Sequence, residues 1–221
     1  MGDLLYCLPF LFMWAGMQQP LVLVGVVAVF LGRGWLPDPV ALIRTWRRMD
    51  RLAREVASNP ANATARRDLA LLYLAQRRPA RACLLLEQAL ARFPDDAELL
   101  YLLGRARHRR GEHDAALGPL VRSLEVDPGV RFGEPYLLAG DALSALGRHA
   151  EALDAYERYT GRVSSSLEGH VKRARAHRAL GEEIAARAAL DEASRTWSAL
   201  PRYMKRRAIG WRAVALGMRV W

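Results

Sequence analysis

The side chains of this chain best suited to chemistry are five histidines, two cysteines and a run of three serines. Each would need partners. Cys7 and Cys83 offer neither a CxxC metal pair nor a plausible disulfide. His113 and His149 each stand two residues after a glycine, at equivalent places of neighbouring segments, which marks them as structural. His170 and His177 are seven apart and could share one helix face, but a zinc site takes three or four ligands and no others accompany them. Ser164-Ser165-Ser166 lacks a recognisable base or oxyanion partner, and no phosphate loop or catalytic signature is present. The expectation is a non-enzyme, with no catalytic residue, no metal site and no cofactor.

The elements that carry these residues repeat. Pro60, Pro94 and Pro128 stand 34 residues apart, the length of a two-helix solenoid unit. One unit carries Leu69-Ala70, Tyr73, Ala82, Leu86 and Ala89 before its proline. The next places Leu100, Leu103-Gly104, Gly111, Ala116, Leu120 and Ser123 at matching offsets. Two extra residues around Gly129 to Phe132 then move the turn glycine 36 places, from Gly111 to Gly147. A third unit carries Tyr136, Ala139-Gly140, Leu143, Ala152, Tyr156 and Tyr159; a fourth carries Ala174, Gly181, Ala186, Leu190 and Ala193. Apolar residues recur at helical spacing and nothing alternates with period two, so strands are not expected.

This pattern resembles the tetratricopeptide repeat family, with Arg66 standing where the family has a large apolar residue and Arg107 where it has Tyr. The fold expected is all-α, an α-solenoid of about four hairpins, because one hairpin cannot bury its apolar face alone. The repeats fall at 63–96, 97–132, 133–166 and 167–200. A membrane anchor (1–35) and a basic helix (36–60) precede them, and a basic capping helix (201–221) follows.

Residues 4–31 carry no charge and would reach about 42 Å as one helix, more than the roughly 30 Å hydrocarbon core. Gln18-Gln19-Pro20 interrupts them, so one kinked, tilted span is the first reading and a re-entrant hairpin or interfacial helix the second. A cleaved signal is not expected, since no basic residue precedes the apolar run, and lipidation signals also fail. Arg33, Arg44, Arg47, Arg48, Arg51 and Arg54 follow the segment, which predicts an outside N-terminus and cytoplasmic repeats. Asn62-Ala63-Thr64 then reads as a chance match to a glycosylation acceptor. Asp38-Pro39 starts a helix with Leu42, Trp46, Met49, Ala53 and Val56 on one face, a stalk or a coiled-coil surface. The 31 Arg against two Lys hint at GC-rich coding, and so at a bacterial inner membrane.

The net charge of +10 sits at the ends. Residues 61–130 carry 11 basic and 9 acidic side chains, residues 131–200 carry 10 of each, and residues 201–221 carry 6 basic and no acidic ones. A nearly balanced array argues against nucleic acid, whereas basic flanks suit anionic lipid. The tail, with Tyr203, Met204, Ala208, Trp211, Val214, Ala215 and Met218 along one side, is read first as a cap and second as a membrane-surface helix.

In the family it resembles, the first helix of each hairpin lines a concave groove that binds a peptide or helix. Carried over by offset, the groove would include Arg67, Leu71, Tyr101, Arg105, His108, Glu134, Leu137, Asp141, Lys172, Arg175 and Arg178. No asparagine falls at these offsets, which disfavours the family's clamp for terminal carboxylates. An acidic or charged partner segment is expected, met by Arg105, Lys172, Arg175 and Arg178. The resulting expectation is a membrane-anchored adaptor holding a protein partner at the cytoplasmic face. A structural subunit of an envelope or secretion assembly is the alternative, and an unrecognised enzyme a distant third.

Overall fold

Small residues at a fixed offset decide how the helices of this chain pair. The computed structural model describes residues 39–59 and 61–220, so the expected span at residues 4–31, Asp38 and Pro60 lie outside the described residues. The chain divides into two compact units, residues 1–51 and 52–221. Helix α1 (Pro39–Ser58) begins in the first, where Ile43 and Trp46 are exposed.

The second unit is a stack of four hairpins: α2 (Ala63–Ala75) with α3 (Pro79–Leu90), α4 (Ala97–Arg109) with α5 (His113–Val126), α6 (Glu134–Ala145) with α7 (His149–Arg162), and α8 (Leu167–Ala179) with α9 (Glu183–Ala199). Helix α10 (Arg202–Val220) packs on both α8 and α9. Among the described residues there is no strand, and no helix is long and apolar enough to cross a membrane.

Within each hairpin the second helix presents a small residue near its start. Ala82, Ala116, Ala152 and Ala186 are all fully buried. The first helix answers with Ala70, Gly104, Gly140 or Ala174, each 16 residues before a large side chain: Leu86, Leu120, Tyr156 and Leu190. The approach is closest at the glycines. A Cβ on Gly104 would lie 2.5 Å from Leu120, and one on Gly140 2.5 Å from the Tyr156 ring. The core is the sum of these contacts, continued between hairpins by Leu117 and Ala139.

The turns share one geometry. Arg77, Gly111, Gly147 and Gly181 all have left-handed backbones, with φ of 57°, 82°, 76° and 78°. The amide after each closes on the carbonyl five residues back, as in Arg78 N to Tyr73 O at 2.9 Å, which satisfies helix-terminal carbonyls. Only the first hairpin does this with a side-chain-bearing residue, at a cost of about 1–3 kcal/mol. Helix starts are equally regular. Asn62, Asp96 and Ser166 accept hydrogen bonds from the amides three residues on, at 3.0, 2.9 and 3.1 Å. Asn62, the residue of the glycosylation match, is thus occupied as a cap.

The third hairpin breaks the pattern. Phe132 stands where the other three have their cap, and Arg131, Phe132 and Gly133 are all left-handed, with φ of 50°, 56° and 81°. Phe132 is 85% exposed. The two inserted residues therefore become a strained 3-10 turn (Val130–Gly133) between α5 and α6, and α6 starts without a side-chain cap.

The packing predicts opposite outcomes for two Gly→Ala changes. Gly210→Ala, in open space midway along α10, gains helix propensity and should stabilise the protein by about 1 kcal/mol. Gly140→Ala makes the same gain but drives Cβ into a buried ring, and the overpacking of about 1–3 kcal/mol should leave it less stable than the parent. Urea unfolding of both variants reads the difference in sign.

Candidate partner-binding groove

The groove face is built from the first helices, and its side chains are largely engaged with each other. At one edge Arg67 on α2 pairs with Glu98 on α4 at 3.0 Å, and Arg131 in the 3-10 turn lies 4.0 Å from Glu98 and 3.4 Å from Glu134. At the other, Tyr156 Oη donates to Asp141 Oδ1 at 2.9 Å, and Lys172 Nζ donates to Asp141 Oδ2 at 2.7 Å. Lys172 also meets Glu168 at 2.5 Å. These ladders tie hairpin to hairpin, and they neutralise the charges that sequence spacing offers to a ligand.

Several expected groove residues are therefore placed differently from a free surface. Tyr101 is wholly buried, with the Arg131 guanidinium 5.4 Å above its ring, because the inserted turn folds over it. Burial and the Glu134 carboxylate push its phenol well above the usual range. Leu137 and Lys172 are also buried. On the fourth hairpin Arg178 donates to the Met218 carbonyl at 2.7 Å, while Arg175 and Lys172 lie over the Trp211 ring at 5.8 and 5.3 Å. Helix α10 thus covers what spacing alone presents as the basic end of the groove.

What stays open lies on the first two hairpins. Leu71 and His108 are half-buried there, and so is Arg105. His108 Nδ1 is 3.1 Å from His113 Nδ1; burial lowers the pKa of His108 first, Asp141 opposes this, and His113 adds to it. The Arg77 amide donates to the Leu74 carbonyl at 3.2 Å and Arg105 lies one turn before Arg109 on the same face of α4, which brings three arginines to the ends of α2 and α4; burial and the nearby Arg105 and Arg77 lower the pKa of Arg109. Arg109 donates to the Leu74 carbonyl at 2.7 Å, whereas the side chains of Arg105 and Arg77 make no ion pair or hydrogen bond among the described residues. Arg77 and Arg109 are absent from the sequence-derived groove. The signal for Arg77 was its place 34 residues before Gly111, in the turn slot.

The arginines at unusual repeat positions have structural work. Arg66 is buried and donates to the Gln88 carbonyl at 3.1 Å, in the last turn of α3. Arg107 donates to the Ala115 carbonyl at 3.1 Å and pairs with Glu87 at 2.9 Å. His170 and His177 do not converge: His170 Nε2 lies 2.8 Å from the Ser164 carbonyl, and His177 Nδ1 lies 2.7 Å from Glu182. Cys83 is buried, and burial raises its thiol pKa.

Stacked helical hairpins with an inner face of this kind define an α-solenoid scaffold for protein–protein contacts. The chain belongs to the tetratricopeptide repeat family, whose model matches residues 67–129 and 137–201, more than half of its length. The gap between the two matched segments spans the left-handed turn. Among solved structures, a crystal structure of MamA is 21% identical with a TM-score of 0.65, covering 73% of this chain and 95% of that one. The crystal structure of YrrB, described as a TPR protein with an unusual peptide-binding site, is 19% identical with a TM-score of 0.65, covering 82% and 87%. At these identities the likeness is one of fold. No curated protein matches the chain by sequence.

Because Asp141 serves both Tyr156 and Lys172, its removal takes a partner from two groups at once. Asp141→Ala should cost about 2 kcal/mol, and adding Lys172→Met should recover part of that loss, since the second change removes a buried charge left with Glu168 alone. A double-mutant cycle by denaturant unfolding measures the coupling.

Proposed function

We propose that this chain is a membrane-anchored tetratricopeptide adaptor that holds an acidic segment of a partner protein at the cytoplasmic face. The reading is supported by the family, by the uncharged residues 4–31 and by the arginines that follow them. The observation that carries the choice of ligand is the cluster of Arg77 and Arg109 at the Leu74 carbonyl with Arg105 one turn away on α4, the side chains of Arg77 and Arg105 being without a partner among the described residues. Like charges held close raise each other's energy, and a carboxylate-bearing segment laid along α2 and α4 relieves that while gaining charge-assisted hydrogen bonds. Leu71 supplies an apolar contact beside them.

The anchor adds affinity without adding contacts, because a partner already at the membrane meets the groove at a raised local concentration. The fourth hairpin plays no part in this binding, since Arg178 and Lys172 are spent on α10 and on Asp141. This narrows the sequence-derived ligand site from four hairpins to two.

A photo-crosslinking side chain placed at Leu71 in the full-length protein, in cells, tests the reading. Adducts to a partner should form, and Arg105→Glu with Arg109→Glu should reduce them at least about tenfold, as expected when two charge-assisted contacts become repulsive. Arg175→Glu should leave them nearly unchanged. Adducts as strong in the double variant as in the parent would rule out the basic site.

A further inference from the structure

Helix α10 has two faces of different chemistry. On the inner face Ala208, Trp211, Ala215 and Met218 pack into the core of the last hairpin, and the cations there are committed. Lys205 donates to the Ser198 carbonyl at 3.3 Å, Arg212 donates to Ser194 Oγ at 3.1 Å, and Arg219 pairs with Asp191. The outer face carries Ile209, 65% exposed, and Leu216, 46% exposed. Arg202 and Arg206 stand exposed beside these residues, and their side chains make no ion pair or hydrogen bond among the described residues.

Two features of this face are unfavourable in water. A solenoid's terminal element needs a polar outer surface to keep the array soluble, and this one carries large apolar side chains. The free arginines lie in the N-terminal half of α10, where the helix dipole is positive and no acidic residue sits in the first turn. An apolar surface bearing anions removes both penalties, and the position of the residues fits one. Residues 202, 206, 209, 213 and 216 follow helical spacing, so cations and apolar groups share a stripe.

We infer that the outer face of α10 lies on an anionic lipid bilayer, with Ile209 and Leu216 in the boundary between headgroups and acyl chains and Arg202 and Arg206 on lipid phosphates. The inference rests on the membrane-anchor reading and deepens it: the chain touches the membrane at both ends. A second copy is a poorer occupant. A two-fold contact of α10 with itself would face Arg202 and Arg206 with the same arginines of the other copy, with no acidic side chain anywhere in residues 201–221.

The test uses the full-length chain with Cys7→Ala and Cys83→Ala, carrying one environment-sensitive label at Ile209→Cys or, as control, at Ala188→Cys on the exposed side of α9. It is added to excess phosphatidylcholine vesicles with or without about a third phosphatidylglycerol, and quenching by nitroxide lipids is read. The label at 209 should be quenched at least about threefold more than the control in anionic vesicles, and Arg202→Glu/Arg206→Glu should abolish the excess while the chain stays with the vesicles. Quenching at 209 no greater than at 188, or unchanged by the two substitutions, overturns the inference. A label shielded without lipid, increasingly so at higher protein concentration, assigns the face to a second copy and overturns it as well. Release of the chain from neutral vesicles after alkaline washing would sink the anchor reading instead, and the comparison of labels in the anionic-vesicle-bound fraction still decides the fate of α10.

Discussion

The array depends on how closely the two helices of each hairpin can approach. Ala82, Ala116, Ala152 and Ala186 leave room on one helix, and Ala70, Gly104, Gly140 and Ala174 leave it on the other. Leu86, Leu120, Tyr156 and Leu190 then fill the space above the small residue opposite. Fixing this distance fixes the tilt of each hairpin, and stacked hairpins of one tilt bury a continuous core. The same constraint brings the first helices side by side, which is what lets Arg67 reach Glu98 and Lys172 reach Asp141. Groove and core follow from one packing rule.

Arginine serves this architecture more than it serves a ligand. Helix ends leave carbonyls without partners, and guanidinium groups from neighbouring elements supply them. Arg66 donates to Gln88, Arg109 to Leu74, Arg178 to Met218 and Arg162 to Pro128, at 3.1, 2.7, 2.7 and 2.5 Å. A chain with 31 arginines therefore does not present a basic surface of matching strength. Arg77 and Arg105, at the ends of α2 and α4, and Arg202 and Arg206, on the outer face of α10, are among those left uncommitted.

The repeat architecture was legible in the sequence because its determinants are local and periodic. Turn glycines, buried alanines and the 34-residue spacing each leave a mark at a fixed offset. The groove was less legible. Carrying residues over by offset identifies the first-helix face but not what lies over it, and two non-local events decide that. The inserted turn sets Arg131 on Tyr101, and α10 folds back on Arg178, Arg175 and Lys172. The slip in the period marks the insertion and the tail reads as a cap, but neither signal says which groove side chains are covered. Arg77 was missed because a turn slot is recognised by its glycine, and here a side-chain-bearing residue adopts the left-handed backbone instead.

The account joins a repeat scaffold to a membrane face, and the orientation of that scaffold is its most exposed claim. Reporter fusions at the two ends of the full-length chain, one active only in the cytoplasm and one only outside it, test it directly. The account predicts cytoplasmic reporter activity from the C-terminal fusion and external activity from the N-terminal one, as the arginines after residue 31 require. External activity from the C-terminal fusion would contradict it, since the Arg105 site and the outer face of α10 would then lie on the wrong side of the membrane.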